Sequence, residues 1–180
     1  MIKVKENFLD KKDFIQIEQR LFGEKFYWSL ANDVVSKRPE WGATCEEIYN
    51  WQLIHNFYES PATISEAINT INPIMNIINP RILIRIKANL TPRADKVVEH
   101  GFHRDVEPPI VGAITSILYL NTNNGYTAFE DGTKIPSVAN TFVSFPSGMK
   151  HTGTTCTDVK FRGVINFNYI IKEVEKNDEK

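Results

Sequence analysis

Three side chains in the second half of the chain, His103, Asp105 and His151, have types and spacing suited to holding a metal ion. His103 and Asp105 stand at i and i+2, so on an extended segment they point the same way and can grip one ion from one side. A lone His-x-Asp arises readily by chance. Its weight here comes from His151, in the loop-like stretch Pro146-Ser147-Gly148-Met149-Lys150-His151-Thr152-Gly153. A third ligand 46 residues beyond Asp105 closes the site if the intervening chain folds back on itself. Two imidazoles and one carboxylate on one face leave about three coordination positions open, the facial arrangement that non-haem Fe(II) uses for oxygen chemistry. Eleven residues after His151 comes Arg162, in a segment where Arg162, Val164, Asn166 and Asn168 alternate with Gly163, Ile165, Phe167 and Tyr169. If the apolar face packs on the front half of the chain, the polar face lines an interior. A planar, always charged guanidinium there is a natural bidentate partner for a dicarboxylate cosubstrate. In the alternative, Arg162 and the two asparagines face water on an outer strand.

These residues need strands to position them, and the sequence supplies strands from Arg81 onward. There the hydrophobic period changes from helical to two: Ile82, Ile84, Ile86 and Ala88 alternate with Leu83, Arg85, Lys87 and Asn89, a half-buried strand with an unusually polar second face. Residues 110–120 form a strongly apolar strand. Asn121-Thr122-Asn123-Asn124-Gly125 predicts a hairpin turn, because Asn-Gly tolerates positive φ, and Asp131-Gly132 repeats the signal after a short strand at Thr127-Ala128-Phe129. Two further strands are expected at residues 141–145 and 161–171. Short strands at near-regular spacing between Gly turns predict an antiparallel sandwich or jelly roll. Residues 8–80 read mostly as helix, with a first segment capped by Asp10 or Asp13 and carrying Phe14, Ile17, Leu21 and Phe22 up to Gly23. Ser60-Pro61 opens another, with Ile64, Ala67, Ile68, Ile71 and Met75 on one face and Pro73 expected to kink or shorten it. The chain thus reads as a single domain over 1–180: a helical front at 8–80, a stranded core at 81–171 and a charged, frayed tail at 172–180.

With 180 residues the chain is long enough to bury a core without staples. Twenty-one basic against 22 acidic side chains supply no global field for nucleic acid or an anionic membrane. No apolar run approaches the roughly 18 residues of a membrane helix, and residues 1–10 carry Lys3, Lys5, Glu6 and Asp10 where a signal peptide would be apolar. A cytoplasmic protein without membrane contact is expected. Cys45 and Cys156 form neither a disulfide framework nor a zinc knuckle, and no nucleophile elbow, Walker loop or dinucleotide fingerprint is present. His100 competes as a ligand but lacks the His-Glu-x-x-His order of a zinc protease, and His55 reads as a packing or rim residue. Arg81, Arg85, Lys87, Arg93, Lys96 and Arg104 make residues 81–104 locally basic, a solvated face or a receiver of acidic substrate.

The pattern His103-x-Asp105, His151 and Arg162 resembles that of the 2-oxoglutarate- and Fe(II)-dependent dioxygenases. The wording Asn124-Gly125-Tyr126-Thr127-Ala128-Phe129, Phe145, His151-Thr152-Gly153 and residues 162–169 is most similar to the prolyl 4-hydroxylase-like branch, including small phage-encoded members. The resemblance spans residues 80–171 and, more loosely, the front. It implies an α+β, mainly β fold, a double-stranded β-helix (jelly roll) with an N-terminal helical layer. It makes His103, Asp105 and His151 the Fe(II) ligands and Arg162 the partner of the distal 2-oxoglutarate carboxylate. Asn89 matches an asparagine that hydrogen-bonds the cosubstrate in some members, although Leu90 follows it where those members usually have Tyr. Asn166 and Asn168, on the face of Arg162, complete the expected cosubstrate contacts. The implied enzyme is a hydroxylase that consumes O2 and couples oxidative decarboxylation of 2-oxoglutarate to hydroxylation of a C–H bond. Its expected partner is a peptide, amino-acid or other small-molecule substrate, with proline first to test, rather than nucleic acid. Two alternatives stand beside it: an oxygenase acting on a nucleobase, and a non-oxygenase metal-binding jelly roll, which would have no need of Arg162.

Overall fold

Alternation decides which side of each strand meets which layer. In the computed structural model, which describes residues 1–35 and 45–171, the period-two run at Arg81 becomes β5 (Ile82–Pro92), the longest strand. The other strands are β1 (Lys3–Lys5), β2 (Ser29–Ala31), β3 (Gln52–Glu59), β4 (Ala62–Thr63), β6 (Ala113–Tyr119), β7 (Tyr126–Phe129), β8 (Lys134–Pro136), β9 (Phe142–Pro146), β10 (His151–Gly153) and β11 (Phe161–Ile170). All pair antiparallel. The larger sheet has the order β1-β9-β6-β11-β5-β3-β2, with β4 added to β3, and the smaller has the order β10-β7-β8. This is the expected mainly-β architecture, two antiparallel sheets with a modest helical layer. The tail at 172–180 lies outside the described residues.

One face of the large sheet is apolar and carries the helices. Ile86 and Ala88 of β5 and Ile165 and Phe167 of β11 are buried against Phe14, Ile17 and Leu21 of α1 (Lys11–Leu21) and Ile74 of α2 (Asn72–Ile78). Asp10 caps α1, its carboxylate accepting from Lys12 N and Asp13 N, so the first of the two candidate caps is the one used. The opposite face looks into the space between the sheets. There Ile117, Tyr119, Phe129, Val143, Phe145 and Val164 make a second, smaller core.

Three expectations are corrected. Residues 52–59, read as part of a helical front, are β3: the main-chain groups of β5 on that side need a partner, and a segment of aromatic and branched residues supplies it, Leu53 opposite Leu90 and His55 opposite Ala88. Helix therefore occupies much less of residues 8–80 than expected. Pro73 does not kink a helix begun at Ser60; it sits in the first turn of α2, where its missing N–H costs nothing, after a 3-10 turn at Glu66–Ile71 capped by Ser65. Asn124-Gly125 makes no positive-φ hairpin, because β6 and β7 belong to different sheets and the chain crosses between them. Gly125 is needed for room: a Cβ there would lie 2.8 Å from Thr155 O and 2.9 Å from Arg162 Cδ. The Asp131-Gly132 turn does form as expected, with Gly132 at φ 87° between β7 and β8.

Candidate metal and cosubstrate site

His103 and His151 face each other as an antiparallel bridge, each amide donating to the other's carbonyl at 3.0 Å. The stretch read as loop-like around His151 is thus a short strand, and its pairing is what closes the 46-residue gap. Asp105, two residues on, turns its carboxylate to the same place. One potential ligand atom from each of the three lies within 4.8 Å of the others. Asp105 Oδ2 is 3.8 Å from His151 Nε2 and has no hydrogen-bond partner among the described residues, while Oδ1 takes an ion pair from Arg85 at 2.9 Å. Burial alone would raise the Asp105 carboxyl, yet Arg85 and the two imidazoles outweigh it and hold it well below the ordinary carboxylate range. Burial pushes His151 down to about 4 and lowers His103 as well. At neutral pH the cluster is two neutral imidazoles and one carboxylate, the protonation state a divalent cation needs. A buried acceptor oxygen without a partner, next to neutral imidazoles, fits such an ion.

The cavity behind the triad has a volume of about 50 Å³, and its walls come from both sheets. The polar faces of β5 and β11 supply Lys87, Asn89, Thr91, Arg162 and Asn166, and β7 and β10 supply Thr127 and Gly153. Arg162 is 4% exposed. Its Nε donates to Ser137 Oγ at 2.7 Å, its Nη2 donates to Thr127 Oγ1 at 3.0 Å, and the guanidinium lies 5.4 Å over the Tyr119 ring. Among the described residues no carboxylate pairs with it. A buried cation without a counter-ion is costly, so the inner end of the cavity is built for an anion. Asn89 Oδ1 and Asn166 Oδ1 are buried in its lining without hydrogen-bond partners among the described residues.

The structure thus brings together His103, Asp105, His151, Arg162, Asn89 and Asn166. It does not bring Asn168 to the cavity. That side chain donates to Thr115 Oγ1 at 3.0 Å and accepts from Arg85 Nε at 3.2 Å, so it holds the arginine that holds Asp105. His55 lies elsewhere, between Tyr27 O and Ser65 Oγ and against Phe26, a packing role. Tyr119, Thr127 and Ser137, the cradle of Arg162, were not singled out from sequence; only the folded register places them there. The basic run disperses into separate pairs: Arg85 with Asp105, Lys96 with Glu46 and Arg104 with Glu107.

His100 gives the site a pH dependence. It is 1% exposed, Nδ1 is hydrogen-bonded to Gly153 O, and burial pushes its pKa down to about 4. Because the folded value lies below the unfolded one near 6.5, the stability gained by keeping the ring neutral is complete above 6.5 and is lost as pH falls toward 4. Denaturant unfolding of the metal-free protein should show a loss on the order of 3 kcal/mol across that window from this group. A His100→Gln variant should show a shallower fall, and an equal fall in both proteins would reject the assignment.

No protein-family model matches the sequence, and no curated protein matches it significantly. Solved structures do match. A prolyl hydroxylase from Trichoplax adhaerens, in complex with a hypoxia inducible factor oxygen degradation domain peptide fragment, is 16% identical over 94% of this chain and 83% of its own, with a TM-score of 0.61. A Pseudomonas putida prolyl-4-hydroxylase is 15% identical over 94% of this chain and 92% of its own, at 0.56. The epimerase SnoN, in complex with Fe3+, alpha ketoglutarate and nogalamycin RO, is 11% identical over 94% and 78%, at 0.62. The fold is the jelly roll shared by these prolyl hydroxylases and 2-oxoglutarate/Fe(II) oxygenases.

Proposed function

We propose that this chain is a 2-oxoglutarate- and Fe(II)-dependent oxygenase that hydroxylates a C–H bond. The observation that carries the reading is the buried Arg162, without a carboxylate partner among the described residues, in the same polar cavity as the His103, Asp105 and His151 cluster. A metal site alone suits many reactions. A metal site with a fixed cation deep behind it suits a chelating dicarboxylate, and the likeness in fold to a protein solved with iron and alpha ketoglutarate supports that ligand.

In this reading His103, Asp105 and His151 hold the iron, and Arg85 fixes the carboxylate by engaging its second oxygen. Arg162, braced by Ser137 and Thr127, orients the far carboxylate of 2-oxoglutarate, and the amides of Asn89 and Asn166 meet its polar middle. Iron, 2-oxoglutarate and O2 together supply the oxidising power, releasing succinate and carbon dioxide and placing one oxygen atom in the substrate C–H bond. The two-sheet wall keeps water from the buried charges and so strengthens their hold. The substrate is a peptide, an amino acid or another small molecule, with proline first to test because prolyl hydroxylases stand among the structural neighbours.

The test is a mass-spectrometric screen of protein with Fe(II), 2-oxoglutarate and 18O2 against free amino acids, proline-containing peptides and oligonucleotides. The expected result is a product heavier by one oxygen atom, labelled from the gas, with succinate formed in equal amount. Turnover stimulated by oligonucleotides alone would replace the amino-acid reading with the nucleobase one.

A further inference from the structure

A second cavity opens outside the triad and shares Val34, Gln52, Lys87, His103 and Asp105 with the inner one; Asp33, Arg85, Arg104 and Glu107 add to its wall. Its charges pair off in a telling way. Arg85 is bound to Asp105 at 2.9 Å and Arg104 to Glu107 at 3.0 Å. The ammonium of Lys87, which projects from β5 at the junction of the two cavities, makes no hydrogen bond and no ion pair with any described residue. Arg85, Asp105 and Glu59 are the charges that reach it through space. On the outer wall only, Asp33 is engaged by a neutral group, the Asn50 amide, which donates to it at 3.1 Å.

Loading the inner site leaves this surplus in place. A dication, Asp105 and Arg162 together balance the two carboxylates of 2-oxoglutarate, so Arg85 and Lys87 remain against the single carboxylate of Asp33 on the wall of the outer cavity. Of these, Arg85 is already occupied by Asp105 and Asn168, whereas the Lys87 ammonium, with three donors and a flexible stem, is free to take a ligand. We infer that the outer cavity binds a substrate carrying its own carboxylate, a free α-amino acid, with Lys87 as the carboxylate anchor and Asp33 left for the ammonium. An internal residue of a peptide has neither charge and would leave both unmet. This inference rests on the oxygenase reading and narrows its substrate class.

The test is calorimetry on anaerobic protein loaded with Fe(II) and 2-oxoglutarate, titrated with free amino acids, L-proline among them, and with the matching carboxamides. At least one free amino acid should bind, with its carboxamide weaker by about tenfold or more. Lys87→Met should lose the distinction between acid and amide, Lys87→Arg should keep it, and the affinity for 2-oxoglutarate should be the same in all three proteins. The comparison of acid with amide on the wild-type chain stands even if a variant does not fold. Equal binding of acid and amide, or binding by no free amino acid while 2-oxoglutarate binds normally, would overturn the inference alone. Loss of 2-oxoglutarate affinity in Lys87→Met would also overturn it, assigning the lysine to the cosubstrate. Failure of the wild-type chain to take up 2-oxoglutarate at all would remove the oxygenase reading and this inference with it.

Discussion

Exchange of His103, Asp105 or His151 for alanine should abolish tight Fe(II) binding, lowering affinity by more than the ten- to roughly hundredfold that outer-shell changes cost at metal sites. Each contributes one atom to a cluster spanning 4.8 Å, and no other His, Cys, Asp or Glu joins that cluster among the described residues. The three losses should differ in their side effects. Removing Asp105 leaves the Arg85 guanidinium half-buried without its carboxylate, so this variant should also be the least stable of the three. Metal content after equilibrium dialysis, with urea unfolding alongside, measures both. Retention of stoichiometric Fe(II) in any of the three folded variants would reject that residue as a ligand.

Arg162→Leu should leave Fe(II) binding intact and weaken 2-oxoglutarate by about a hundredfold, corresponding to about 3 kcal/mol for a buried carboxylate deprived of its cation. The arginine stands on β11, where its hydrogen bonds go to Ser137 and Thr127. In the wild type, saturating 2-oxoglutarate should raise the melting temperature, because the dicarboxylate binds only the folded chain; in the variant the rise should vanish at the same concentration. An unchanged 2-oxoglutarate affinity would move the cosubstrate site elsewhere.

Much of this arrangement was legible in the sequence because it depends on alternation. The polar face of Arg85, Lys87 and Asn89 and that of Arg162, Val164 and Asn166 follow from period two once the apolar faces are known to pack on helices, and the structure packs them so. What period two does not reveal is pairing. Trp51 to Tyr58 has the aromatic content of either a helix or a strand, and only the open edge of β5 makes it a strand. Asn168 continues the polar face of β11, but a register shift beside it and the reach of Arg85 take it out of the cavity. Gly125 signals a turn in sequence, yet it serves by leaving room for Arg162 and Thr155. That the Lys87 ammonium has no ion-pair partner among the described residues is likewise visible only in three dimensions, since it depends on Arg85 finding Asp105 20 residues away.

The central claim is that one chelated Fe(II) and one 2-oxoglutarate occupy the same site, the metal on His103, Asp105 and His151 and the far carboxylate on Arg162. Anaerobic titration of the wild-type protein with Fe(II) in the presence of 2-oxoglutarate, followed in the visible, tests it most directly. The account predicts a weak charge-transfer band that needs both components, saturates at one equivalent of Fe(II), and in Arg162→Leu appears only at about a hundredfold higher 2-oxoglutarate. Binding of both components by the wild-type chain with no such band, or a band of undiminished strength in the His151→Ala variant, would contradict it.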